Sequence, residues 1–229
     1  MTIDRLFVIW GAPSDGGRHV VGHLTRDRSV GRFRFWYEPD LSAAKKHGFA
    51  LFPSFPDPRV ESAPYEARYL FATFADRIPS PQRADAAAML ASWGVAHSDD
   101  QFEILAKSGG LRATDRIELA EYRAPGDLLE HPLEFRVAGT KYVPTEIRAA
   151  LAPGLELRLE REPKNQFDSA ATIIATTSDG KRAGYVPRQY SAMISKLLDS
   201  GVPLIGVALR ELIIPEDAGR WLVRVARKR

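Results

Sequence analysis

The chain has 229 residues, 45% hydrophobic and 27% charged, a balance that suits one large folded domain or two small ones. It contains no cysteine, which excludes disulfides, thiolate nucleophiles and cysteine-ligated zinc. No apolar run approaches the ~20 residues that cross a bilayer, and "MTIDRLFVIWG" lacks the features of a signal peptide, so the sequence reads as cytoplasmic.

The formal net charge is +3, and it is uneven: residues 1–132 hold 16 Lys+Arg against 18 Asp+Glu, while residues 133–229 hold 16 against 11. The second half is therefore the one to test for a polyanionic partner.

"DRLFVIWG", "HVVGHLTR" and "RFRFWYEP" predict three strands of a small antiparallel sheet, with a Gly-rich turn at Ser14-Asp15-Gly16-Gly17. Pro53, Pro56, Pro58 and Pro64 make the next passage a loop. "YEARYLFATFADRI" then reads as a helix with Tyr65, Tyr69 and Ala72 on one face beside Leu70, Phe71 and Phe74. A second helix starts at Ser80-Pro81 and stops at Gly94, and a third runs through "SDDQFEILAKSGG" to Gly109. "DRIELAEYR" returns as a strand. Pro125-Gly126-Asp127 and His131-Pro132 break the pattern, which places a domain boundary near residue 131.

Beyond it, "LEFRVAGT" is a strand, "PTEIRAAL" a helical turn and "GLELRLE" a strand with Leu155, Leu157 and Leu159 on one face. "AATIIATT" and "RAGYV" form a hairpin around Ser178-Asp179-Gly180-Lys181. A helix follows from Pro187 to Gly201, with Tyr190, Met193, Ile194 and Leu197 or Leu198 as its apolar stripe. "PLIGVALRELII" and "RWLVRVA" close the chain around the turn "PEDAG". The whole predicts an α+β protein of two domains: a small antiparallel sheet with helices, then a β-barrel of OB or SH3 type with two helices.

"VAGTKYV", "PGLELRLEREPKNQFDSAATI" and "GKRAGYVPRQYSAMISKLL" occur in the order and spacing of a HIRAN domain, which residues 132–229 resemble. Residues 1–131 are similar to the N-terminal subdomain of HipA-type toxin kinases, through "FRFWYEPD", "ALFPSFP" and "DDQFEILAKSGG". The catalytic kinase portion is absent, so no kinase activity is carried over. The HIRAN resemblance implies a non-catalytic protein that binds single-stranded DNA, and its 3′ end, in a DNA-repair or bacterial defence setting. Together the two resemblances imply a helicase or a kinase as protein partner.

On that resemblance, Asp168 accepts a hydrogen bond from a terminal 3′-hydroxyl and repels a 3′-phosphate. Asn165 contacts a base edge or the terminal sugar, Tyr142 and Phe167 stack on bases, and Lys141, Lys164 and Arg188 neutralise phosphates. The DNA-end binders carry a second aromatic where this chain has Val143. Taken as residues alone, Asn165 and Asp168 suit a turn equally well. Tyr142 and Phe167 equally suit the rim of a barrel, and Tyr185 reads as packing.

Other constellations lead away from catalysis. His19 and His23 lie ~13 Å apart along a strand, too far to share a metal, and neither a metal nor a cofactor is expected. Ser191 and Ser195 read as a solvated helix face, and Gly109-Gly110 as a helix stop. Arg32 and Arg34 beside Phe33, Phe35, Trp36 and Tyr37 follow from strand alternation. The alternative function is a protein-interaction module, docking through the apolar helix faces around Phe71, Phe74 and Leu90 onto a HipA-like kinase.

Overall fold

A computed structural model of the chain describes residues 3–13, 17–97, 99–176, 179–212 and 220–228. It divides into two units, Met1–Tyr122 and Arg123–Arg229. The turns expected at Ser14–Gly16, at Ser178 and at "PEDAG" fall at least partly outside the described residues.

In the first unit, alternating apolar residues build β1 (Arg5–Gly11), β2 (Arg18–Asp27) and β3 (Arg32–Tyr37). Helix α1 (Ser42–Lys46), β4 (Tyr65–Ala67), α2 (Ala72–Ala75), α3 (Ala86–Trp93), α4 (Gln101–Ser108) and β5 (Ile117–Glu121) follow. The five strands form one antiparallel sheet in the order β4-β3-β2-β1-β5. Its core contains Leu6, Val8, Leu24, Phe35, Tyr37, Phe55, Phe74, Phe102, Leu105 and Leu119. The proline-rich passage is a loop pinned by one hydroxyl: Tyr37 Oη donates to the Phe55 carbonyl at 2.9 Å and accepts from the Phe52 amide at 2.8 Å. Burial pushes the Tyr37 hydroxyl up to about 12, so it stays protonated there. Arg32 and Arg34 both pair with Glu66, which offsets part of the positive charge on that side of the strand.

Two expected helices are shorter than their sequence patterns. Tyr65–Ala67 is an edge strand, paired Phe35 with Tyr65, and only Ala72–Ala75 is helical after it. Tyr65 packs 5.0 Å from the Phe55 ring, and its hydroxyl binds the Asp57 backbone, so tertiary contacts override the helical periodicity. Ser80 does not cap a helix. Its hydroxyl meets the Gln82 side chain and accepts from the Gln82 amide at 3.3 Å, a local turn that delays the helix to Ala86. The stop at Gly94, φ 70°, is as expected.

Helix α4 is capped by Asp100, which accepts from the Phe102 and Glu103 amides at 3.0 and 3.1 Å. The same carboxylate pairs with Arg26 and Arg28 at 2.7 and 2.8 Å. Burial alone would raise the Asp100 carboxyl, but Arg26, the Glu103 amide and Arg28 together hold it down to about 2. Asp100→Ala is expected to cost about 1–2 kcal/mol in urea unfolding of the first unit at pH 7. Because the folded carboxyl lies below its ordinary value of 3.8, this contribution is complete above that value and is lost as pH falls towards 2. The wild-type and variant curves should converge on acidification.

The faces that suggested docking are mostly interior. Phe74 is fully buried, Phe71 packs against the core, and Leu90 is half-buried.

The second unit comprises α5 (Asp127–Glu130), β6 (Leu133–Arg136), α6 (Thr145–Ala149), β7 (Glu156–Arg161), β8 (Thr172–Thr176), β9 (Arg182–Tyr185), α7 (Arg188–Asp199), β10 (Leu204–Leu212) and β11 (Arg220–Arg227). Helix α5 arises in the stretch read as a plain connection, where Leu128 is buried. The strands form a curled antiparallel sheet in the order β6-β11-β10-β7-β8-β9. Its outermost strands approach each other: Val137 continues from β6 and donates to the Trp221 carbonyl at 2.9 Å, and the next residue, Ala138, exchanges two 2.9 Å hydrogen bonds with Tyr185 of β9. This bridge forms a seam that satisfies groups a sheet edge would leave open. Gly184, φ 148°, permits it, since a Cβ there would lie 2.3 Å from Val137 Cγ1 and 2.7 Å from the Ala138 carbonyl.

Helix α7 buries Tyr190, Met193 and Ile194 as expected. Ser191 and Ser195, read as solvated, are also buried. Their hydroxyls bond the Pro187 and Ala192 carbonyls, which lets small polar residues face the sheet. Among the described residues, no helix is long and apolar enough to cross a membrane.

Candidate nucleic-acid interface

Strand β7 runs out through Glu162-Pro163 into a loop that returns at Ala171, and its shape follows from one amide. Asn165 Oδ1 accepts from the Phe167 and Asp168 backbone N–H groups at 2.9 and 3.2 Å, and Asn165 Nδ2 donates to Glu162 Oε2 at 2.5 Å. Asp168 Oδ1 accepts from the Ala170 amide at 2.9 Å, and the Glu162 amide reaches the Ala171 carbonyl at 2.9 Å to close the base. Arg161 braces the same base through the Ala171 carbonyl at 3.0 Å and Asp199 at 3.0 Å. With the backbone tied inward, Phe167 is left 86% exposed beside the exposed Lys164.

The second ring comes from the seam. Gly139, φ 72°, turns the chain after the Ala138 bridge into a single 3₁₀ turn, Thr140–Tyr142. Val143 anchors this turn at 4% exposure, while Tyr142 points outward at 70%. Lys141 Nζ lies 4.8 Å from the Tyr142 ring centroid, a cation–π contact on the surface. The position where the DNA-end binders were expected to carry a second ring is thus an interior one in this chain.

Tyr185 joins the two. Its backbone makes the Ala138 bridge, and a Cβ on Gly139 would lie 3.2 Å from its ring, so the 3₁₀ turn begins directly over it. Its hydroxyl donates to Glu162 Oε2 at 3.0 Å, the same oxygen that receives Asn165, and accepts from Arg182 Nη1 at 2.7 Å. Burial and the Glu162 hydrogen bond push the Tyr185 hydroxyl up, so it stays a donor. Arg188 stands three residues further on, exposed in the first turn of α7. Among the described residues, neither Arg188 nor Lys164 has a hydrogen bond or an ion pair.

The expected residues thus fall into three groups: Lys141 and Tyr142 in the turn; Lys164, Asn165, Phe167 and Asp168 in the loop; and Arg188 on the helix, with Tyr185 linking the first two. The oxygen of Asn165 has both acceptor positions filled, so this amide cannot make the paired donor and acceptor contact that reads a base. Asp168 Oδ2 makes no hydrogen bond among the described residues. Tyr185, Glu162 and Arg182 were not singled out as site residues. The available signal was that a half-buried tyrosine needs a partner for its hydroxyl, and the acid ending β7 supplies one.

The family model of the HIRAN domain matches residues 132–222. Among solved structures, the HIRAN domain of human HLTF is 17% identical with a TM-score of 0.36, over 43% of this chain and 75% of that one. A structural-genomics protein from Lactobacillus plantarum is 25% identical with a TM-score of 0.34, over 40% of this chain and 87% of that one. No curated protein matches the chain. The family model does not reach residues 1–131, and their expected likeness to the kinase subdomain finds no support in these comparisons.

Proposed function

We propose that the second unit binds single-stranded nucleic acid, DNA in the first place, and receives its 3′ end beside Asp168. The observation that carries this reading is the pair of outward rings, Tyr142 and Phe167, each held on an ordered backbone, with Lys141 against the first and the exposed Lys164 in the same loop as the second. Stacking on such rings accepts any base, and each contributes about 1–3 kcal/mol. Lys141, Lys164 and Arg188 supply charge for phosphates, and the family match supports the reading because HIRAN domains bind DNA. Since Asn165 serves its own loop, binding is tolerant of sequence. Asp168 Oδ2 accepts from a 3′-hydroxyl, whereas a 3′-phosphate brings negative charge against the carboxylate.

The test uses labelled single strands that end in 3′-hydroxyl or 3′-phosphate, titrated with the full chain and with Asp168→Ala. The hydroxyl end should bind about tenfold tighter to the wild type, the order of one hydrogen bond to a charged group. The variant should lose that preference. Equal binding of both ends by the wild type would remove the 3′-end claim and leave single-strand binding to stand or fall on the rings.

A further inference from the structure

Two of the three groups of the candidate site, the loop and the turn, hang on one carboxylate oxygen. Glu162 Oε2 receives Asn165 Nδ2 and the Tyr185 hydroxyl, so a single atom ties the loop to the seam that launches the 3₁₀ turn. Asn165 passes the constraint on to the Phe167 and Asp168 amides through its own oxygen. Tyr185 passes it the other way, through the Ala138 bridge and its ring beneath Gly139. Arg182 holds the tyrosine hydroxyl from the far side, with its guanidinium carbon 5.2 Å from the ring centroid.

We infer that Glu162 and Tyr185 are positioning residues that hold the Phe167 loop and the Tyr142 turn in one binding-competent arrangement, without themselves touching nucleic acid. The inference rests on the nucleic-acid reading, and it explains a charge otherwise out of place. Glu162 puts a negative charge two residues from Lys164 and across the Tyr185 hydroxyl from Arg182, where a site built on phosphate attraction alone gains by removing it. Its retention makes sense if its geometry contributes more than its charge subtracts. An unliganded loop already in its bound shape avoids the ordering cost that a free loop would incur on binding.

Geometry and charge separate in three variants. Glu162→Gln keeps an oxygen that can accept from both Asn165 and Tyr185 while removing the charge. Glu162→Ala removes both, and Tyr185→Phe removes only the hydroxyl. Each is titrated with a fluorescent oligothymidine, and amide exchange at Phe167 and Asp168 is measured with no nucleic acid present.

Glu162→Ala and Tyr185→Phe should bind about tenfold more weakly with an unchanged salt dependence, and the Phe167 and Asp168 amides should exchange faster. Glu162→Gln should bind at least as tightly as the wild type. Tighter binding by both Glu162 variants, or Tyr185→Phe identical to wild type in affinity and exchange, would overturn the inference. If the wild type binds no strand, the role in binding falls with the function reading. Slow exchange in the wild type and fast exchange in Tyr185→Phe would then show that the fault lies in the function and not in the tether.

Discussion

Phe167→Ala should weaken binding of the full chain to single-stranded DNA by about 5- to 150-fold, the loss of one stacking ring. At 86% exposure the ring makes little use of the protein interior, so its removal should leave the unfolding midpoint within about 0.5 kcal/mol of wild type. That separation of effects is the diagnostic point. A rim residue that merely covers a barrel end would show the opposite pattern, with stability lost and binding kept. Tyr142→Ala should behave in the same way, with a smaller loss if Lys141, now 4.8 Å from the ring centroid, must leave its face before a base can stack.

Gly184→Ala should have the largest effect on the second unit. The added methyl meets Val137 Cγ1 at 2.3 Å and the Ala138 carbonyl at 2.7 Å, in a backbone conformation with φ 148° that side chains rarely adopt. Strain and overpacking together predict a loss of about 2–5 kcal/mol in denaturant unfolding. The same methyl presses on the Ala138 carbonyl of the Ala138–Tyr185 bridge, so single-strand binding should fail along with stability. Gly126→Ala, in the same unit with open space around its Cβ position, is the matching control and should be close to neutral.

These two variants mark what could and could not be read along the chain. Alternation found the strands of both sheets except β4, and Gly94 and Gly109 as stops found two helix ends, because each of these signals is local. The stretch from Tyr65 to Asp85 misled because its periodicity is helical while its partners are distant: Tyr65 pairs with Phe35, and Ser80 satisfies itself in a turn. Ser191 and Ser195 misled for a related reason, since a hydroxyl that bonds its own helix can be buried without a partner elsewhere.

At the site, residue types and the family motif pointed to Tyr142, Phe167 and Asp168, of which the structure leaves the two rings exposed. They could not reveal that Asn165 is occupied by its own loop, nor that Tyr185 lies under Gly139 and binds Glu162. The first is a question of hydrogen-bond geometry within four residues. The second joins positions 23 residues apart through a barrel seam that no local pattern encodes.

Single-strand binding through ring and cation is the central claim, and one titration reaches it most directly. A labelled oligothymidine and a duplex of the same length are titrated with the full chain over a range of salt, beside the Tyr142→Ala/Phe167→Ala double variant. With Lys141, Lys164 and Arg188 as the phosphate contacts, the single strand should bind more tightly than the duplex, with a log–log salt slope of about −2. The double variant should lose most of the affinity at unchanged slope. Equal affinity for duplex and single strand, or a double variant that binds as the wild type does, would contradict the account.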